Sequence, residues 1–528
     1  MHIETGNLLS ALIFGVLLAS GVAWVVAGLY RRRMVALMRG GAPPGDAHAT
    51  QPETASTPPR APLVQFDLAD NRRAERRFLL ALSGLCLLIG LTHSWLALHF
   101  VYKVEGFSLN RLLILGAVYA WPMVLAWGMA RRWSWLQVTA GVIAYMAVMA
   151  VVVMLGSNEQ QSMSKVGIWL MGVVAIPVIV TLFISASGRI RAIAPYLLPP
   201  FLILSVSTHL VLQLMANNVQ EPPAWLYSLV GTLGAYGTIL FLALAPWLLL
   251  AWPVYALGRW LANAYRNKRF SDLAYLFAAY WFVVLVSSTL PALQGEGLAG
   301  LTQLLPWLWI PVAWMVLPAW LKPDGQPPTL LVLRVFQKDV QVETLFDRVI
   351  ERWRHTGNTV LIAGTDLISR TLDPDDLFAF INRQLAGRFI ASETEIPRRI
   401  AEFDMQPDPD GRCRVNECYC FDTTWQAALR ALVQASDVVL MDLRGFKPEN
   451  RGCRFELGVL AQAAEIKRVV LLFDAHTAKD AAESDIAAAP PGRFAWLEAG
   501  KMDSAKAKQA LSALFNHTGN VQSRNQSI

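Results

Sequence analysis

The stretch RGCRFELGVLAQAAEIKRVVLLFD, residues 451–474, carries one acid near the start of a helical pattern that runs into an apolar strand: Glu456. A carboxylate there has two readings. It acts on a ligand held at the mouth of a sheet, or it complements the partial positive charge of a helix N-terminus, an effect of about 0.3–1 kcal/mol. In an open parallel sheet, ligands settle beyond the carboxyl ends of the strands. The ends of the apolar runs here carry Phe336 and Lys338, then Asp366, then Asp442 and Arg444. Trp425 opens the preceding helical pattern, and Cys453 stands three residues before Glu456. A second cluster, GRCRVNECYCFD, holds Cys413, Cys418 and Cys420, with Cys453 or His476 as a conceivable fourth zinc ligand. Its spacing departs from the paired cysteines two residues apart of common zinc modules. No metal is therefore expected, and a short hairpin with reduced thiols is preferred.

The elements that would position these residues begin after a KPDGQPP linker, where short apolar runs alternate with amphipathic segments. That alternation predicts a parallel α/β sheet. TLLVLRVF (329–336) reads as a buried first strand, and VETLFDRVIERWRHTG as a helix with Leu345, Phe346, Val349, Ile350 and Trp353 on one face. NTVLIAG is a second strand and DPDDLFAFINRQL a second helix; the stretch from 388 to 421 is irregular. DTTWQAALRALVQA then reads as a helix, SDVVLMDLR as a strand, and the opening stretch as the next helix and strand.

The preceding region has a different solvent. The chain is 54% hydrophobic and 16% charged over 528 residues, and its charges concentrate after Leu321, which excludes one ordinary soluble domain. About nine runs are long enough to cross ~30 Å of hydrocarbon. They lie near 7–30, 78–101, 112–130, 136–155, 166–186, 193–215, 229–258, 273–293 and 304–321. The seventh is overlong, so tilt, an interfacial end or a break at Pro246 or Pro253 is expected. Basic residues alternate between connections: Arg31–Arg33, Arg72–Arg77, Arg131, Arg132, Arg189, Arg191, Arg259–Arg269 and Lys322 fall on one side, and little beyond Lys103, Arg111 and Lys165 on the other. The positive-inside rule then places the N-terminus outside an inner (plasma) membrane and everything after Leu321 in the cytoplasm. The same logic explains the net charge of +7 as a topology signal, and no nucleic-acid partner is expected. Among intramembrane residues only His93, His99 and His209 could titrate near neutrality, which weakens a transporter reading. The expected organisation is a first span with its basic flank (1–38), a flexible linker (39–76), a multi-pass helical domain (77–322), a short linker (323–328), an α/β domain (329–516) and a disordered tail (517–528).

The order of elements and the run WQAALRALVQASDVVLMDLRGFKPENRGCRFELGVLAQAAEIKRVVLLFD resemble Toll/interleukin-1 receptor (TIR) domains and the related nucleoside 2-deoxyribosyltransferase-like fold. The likeness rests on the Ser436–Asp437 pair opening an apolar strand, a polar loop from Lys447 to Cys453, Glu456, and the strand from Val469 to Phe473. It covers about 140 residues; the first strand ends in VFQKD where TIR domains carry a serine-tyrosine pair. The resemblance implies a flavodoxin-like parallel sheet and breakage of the N-glycosidic bond of NAD or a related nucleotide, in stress or defence signalling. It implies Glu456 as the carboxylate facing the sugar, Asp442 on ribose hydroxyls, Lys338 and Arg444 on phosphates, and Trp425 or Phe336 stacked on a base. NAD or a nucleotide is then substrate or ligand, no cofactor is needed, and the chain is expected to self-associate. The alternative is a non-catalytic nucleotide-sensing or scaffold domain that controls the membrane helices.

Overall fold

The computed structural model describes residues 5–39, 67–106, 108–156, 162–184, 188–218, 222–323, 325–334, 344–363, 374–381 and 383–515. The chain divides into two compact units, one built mainly on Leu80–Val316 and the other mainly on residues after Leu317.

The first unit is helical. Among the described residues, eight helical segments are long and apolar enough to cross a membrane: Leu9–Met38, Leu68–Val101, Leu109–Ala130, Trp135–Gly156, Met163–Ile184, Ile193–Asn217, Ala224–Arg266 and Asp272–Val316. The expected count of nine differs because the last two expected spans lie in one segment, Asp272–Val316, which folds back on itself. Gly297 makes the reversal in a left-handed conformation (φ 59°) that favours glycine. Beyond it, Gly300 packs so closely that a Cβ there would meet the Ala292 carbonyl carbon at 2.6 Å. The indole N–H of Trp307 donates to the Ala278 carbonyl at 3.0 Å, which holds the two legs side by side.

The overlong seventh run is also divided. Helix Ala224–Leu249 gives way at Leu250 to Ala251–Arg266, between the two prolines singled out from the sequence, and Gly234 leaves helical geometry inside the first piece. Residues 251–266 form an amphipathic helix, with Leu261, Ala262, Ala264 and Tyr265 buried and Arg259 and Arg266 exposed. Hydroxyls in these helices return to their own backbone: Thr181 to the Pro177 carbonyl at 2.8 Å, Thr289 to Leu285 at 2.7 Å, Ser207 to Ile203 at 2.7 Å. Such bonds satisfy polar groups where water is scarce. His209 does the same through Nδ1 with the Ser205 carbonyl at 2.9 Å, while His93 packs edge-on against Tyr119.

The second unit is an α/β domain on a six-stranded, wholly parallel sheet: β1 Thr329–Arg334, β2 Asn358–Ile362, β3 Val415–Cys418, β4 Val438–Asp442, β5 Arg468–Phe473 and β6 Phe494–Glu498. The order is β3-β2-β1-β4-β5-β6, so the direction of winding switches between β1 and β4. The period-2 alternation of TLLVLR divides cleanly between two cores. Leu331 and Leu333 join Val439, Met441, Val469 and Leu471 beneath helix αA (Trp425–Gln434) and helix αB (Arg451–Gln462). Leu330 and Val332 join Val438, Leu440, Val470 and Leu472 on the other face, under Leu345–Trp353 and helix αC (Ser504–Phe515). Trp353 anchors that face, donating to the Asn358 carbonyl at 2.8 Å and stacking on Phe515.

Two expectations change. The cysteine cluster forms no hairpin: residues 415–418 are a parallel edge strand paired with β2. Its VNEC sequence is polar and only half-buried, so hydropathy passes over it. The linker expected over 39–76 gives way to helix at Leu68, where Asn71 is buried and donates to the Arg352 carbonyl at 2.8 Å and to Thr356 Oγ1 at 2.9 Å. Arginines 72, 73, 76 and 77 had masked that start by lowering the local hydropathy.

Candidate functional site

The carboxyl ends of β1 and β4 bring charge into an apolar interior. Arg334 ends β1 in register with Asp442, which ends β4, and both are buried. Asp442 is committed to its neighbour two residues on. Arg444 gives it Nε–H to Oδ1 at 2.8 Å, Nη2–H to Oδ2 at 2.5 Å, and its backbone N–H to Oδ1 at 3.2 Å. The remaining Nη1 donates to the Ala499 carbonyl at 3.4 Å, so the pair also ties the end of β4 to the residue after β6. Sequence reasoning placed Asp442 and Arg444 on different parts of a ligand; the structure joins them as one buried ion pair.

Glu456 is the sixth residue of αB, in its second turn, and no acid occupies the first turn. The helix-dipole reading therefore loses its basis, because that effect fades beyond the first turn. The side chain is 5% exposed, and Oε2 has no hydrogen-bond partner. Burial pushes its carboxyl up to about 8, partly offset by the positive charge of Arg334. Desolvation penalises the ionised form, so burial holds this group mostly protonated at neutral pH. Cys453 lies one turn earlier on the same helical face and is also buried. Its thiol is pushed up to about 12, first by burial and then by the negative charge of Glu456, so it is no nucleophile at neutral pH.

Trp425 opens αA and meets Phe455 of αB edge-to-face at 5.4 Å, packing one helix on the other. The Ser436–Asp437 pair sits at the opposite, amino end of the sheet. Asp437 accepts the Thr329 N–H at 2.8 Å, which fixes the start of β1, and Ser436 donates to the Leu432 carbonyl at 2.7 Å, which closes the end of αA. Phe336, Lys338 and Asp366 lie outside the described residues. Among the described residues no group of three or more His, Cys, Asp or Glu side chains is placed to hold a metal. The five cysteines are free, with Cys418 and Cys420 sulfurs 3.6 Å apart.

Arg334 was missed from the sequence, although a signal was present: it is the lone charge in an otherwise apolar buried strand, and such a charge requires a partner or a role. In comparisons with protein-family models, curated proteins and solved structures, nothing matches this chain.

Proposed function

We propose that the α/β domain is a TIR-like enzyme, held at a membrane by the apolar helices, that breaks the N-glycosidic bond of NAD or a related nucleotide in stress or defence signalling. The observation that carries this reading is the Glu456 carboxyl: buried, with one oxygen unbonded, on the helix that follows β4 next to the switch point of the sheet. Cleavage of an N-glycosidic bond passes through an oxocarbenium-like sugar, which a carboxylate stabilises. The positive nicotinamide ring of a bound NAD would favour ionisation of Glu456, so that its proton leaves on binding. Water then attacks the anomeric carbon, the ring departs neutral with the bonding pair, and the attacking water gives up a proton. For a substrate with a neutral base, the protonated carboxyl would instead donate to the leaving base. In the same reading the N-terminus lies outside, the α/β domain is cytoplasmic, and the chain self-associates.

Base release from NAD, nucleotides and nucleosides by the oligomerised full-length protein tests this. Free nicotinamide or nucleobase is expected from the wild type and not from Glu456→Ala. No release from any of them, or equal release by the variant, would overturn it.

A non-catalytic nucleotide-sensing domain that controls the helices is the second reading. It is favoured by the closed Asp442–Arg444 pair and by the eight apolar segments among the described residues, more than anchoring requires. Nucleotide binding without turnover, coupled to altered ion leak in liposomes, would distinguish it.

A further inference from the structure

The helical unit carries an apolar groove of about 320 Å³, open along one side, between helices 188–217, 251–266 and 272–296 and the leg that returns after Gly297. Leu198, Trp260, Tyr275, Ala278, Phe282 and Trp307 are among its walls. The obvious polar handle is already engaged, since the Trp307 indole N–H is bonded to the Ala278 carbonyl. At a liquid-water share of ~30 Å³ each, the groove has room for roughly ten waters. Its walls offer them almost no hydrogen bonds, so water is a poor occupant. The segments that wall it, Ile193–Asn217, Ala224–Arg266 and Asp272–Val316, are long and apolar enough to cross a membrane, and the molecule at its open side would be a lipid tail.

Charge fixes which lipid. Between Trp252 and Tyr275 the chain has four cations, Arg259, Arg266, Lys268 and Arg269, against one acid, Asp272. Arg259 is exposed, lies over the Tyr255 ring and falls in sequence between groove residues Leu257 and Trp260, while exposed Arg269 stands three residues before the helix that supplies Tyr275. From Tyr275 to Leu285 the groove follows that helix for about 15 Å at the helical rise. Arg269 thus precedes the Tyr275 end of an elongated apolar slot and Arg259 lies on a helix that walls it, a pairing of charge and apolar length that suits a headgroup phosphate and its acyl chain. We propose that this groove binds one acyl chain of an anionic membrane phospholipid, with Arg259 and Arg269 holding the headgroup. The proposal rests on the membrane-spanning reading of the helices and not on any activity of the α/β domain.

Full-length protein in nanodiscs containing phosphatidylcholine and phosphatidylglycerol, each in turn carrying a photoreactive acyl chain, provides the test. Peptide mapping should concentrate the phosphatidylglycerol label on 278–282 and 304–307. Ala279→Trp, which fills the slot, should remove it there while labelling elsewhere persists, and excess unlabelled phosphatidylglycerol should do the same to the wild type. Arg259→Gln and Arg269→Gln should each lower phosphatidylglycerol capture about fivefold relative to phosphatidylcholine. Label spread evenly over all spans, or equal capture of both lipids by the wild type, would overturn the proposal. Release of the protein from membranes without detergent would instead overturn the membrane reading beneath it.

Discussion

The two units differ in what their buried polar groups meet: mostly backbone carbonyls in the helical unit, and opposite charges in the α/β domain. In the helical unit, the hydroxyls of Thr181, Thr289 and Ser207 bond the backbone one turn behind them, while Ser205 reaches the Ala11 carbonyl at 2.8 Å and Trp307 the Ala278 carbonyl. In the α/β domain, buried charges meet opposite charges, most of them a few residues away along the chain. Arg444 closes on Asp442; Arg412 meets Glu351, which also meets Arg354 at 3.3 Å; Arg414 meets Asp408 at 2.9 Å. His355 shares that second cluster, and burial together with the Arg412 charge pushes it down to about 3. Glu456 has one buried oxygen unbonded, as has Glu417, whose other oxygen accepts from Tyr419; at Glu456, burial also pushes the carboxyl up to about 8. Where a protein pairs its other buried charges, a group kept neutral by desolvation is a candidate for chemistry.

That contrast can be broken experimentally. The largest effect is expected at Glu456: the isosteric Glu456→Gln change should lower base release by about 10²–10⁴-fold, the range for losing a positioned acid-base group. It should leave the domain folded, because an amide needs no ionisation. Asp442→Ala should act the other way, on stability, by about 3–5 kcal/mol, since it strands the Arg444 cation in the interior. Unfolding of the α/β domain followed by near-ultraviolet circular dichroism would measure it, and Asp442→Leu with Arg444→Leu should recover most of the loss.

The pH dependence comes next. Glu456 is raised from 4.5 to about 8 in the fold, so the folded state binds the extra proton between those values. Stability is fully present below 4.5 and declines by about 1.4 kcal/mol per pH unit as pH rises toward 8. Glu456→Gln should flatten that limb in chemical denaturation at a series of pH values. On NAD, which calls for the ionised carboxylate, kcat/KM should climb through pH 8; on a neutral-base nucleoside it should fall. The smallest effect is expected in the helical unit. Thr289→Val, which removes a bond local to one helix, should change thermal stability in detergent by about 0.6 kcal/mol.

What the sequence made legible follows from periodicity. The two-residue alternation of TLLVLR and the face Leu345, Phe346, Val349, Ile350 and Trp353 are both found as read, because apolar spacing determines which side of an element is buried. What it hid depends on partners brought from elsewhere. β3 is built from VNEC at a sheet edge, where few apolar residues are needed. β6, FAWLE, is half-buried for the same reason. The closure of Arg444 on Asp442 depends on side chains turning back over two residues, which a rule about strand ends does not foresee. Glu456 reads as a charge complementing the helix start, but the helix begins five residues earlier at Arg451, which puts it in the second turn. The Ser436–Asp437 pair, which lent weight to a family likeness, lies at the amino end of the sheet, away from the site.

The central claim is that Glu456 is a buried carboxyl that holds its proton at neutral pH. Infrared difference spectra of the full-length protein, wild type minus Glu456→Gln, over a pH series observe it directly. A protonated-carboxyl band that disappears with a midpoint near 8 is the predicted result. A band already lost with a midpoint near 4.5, the value of a solvated glutamate, would contradict it.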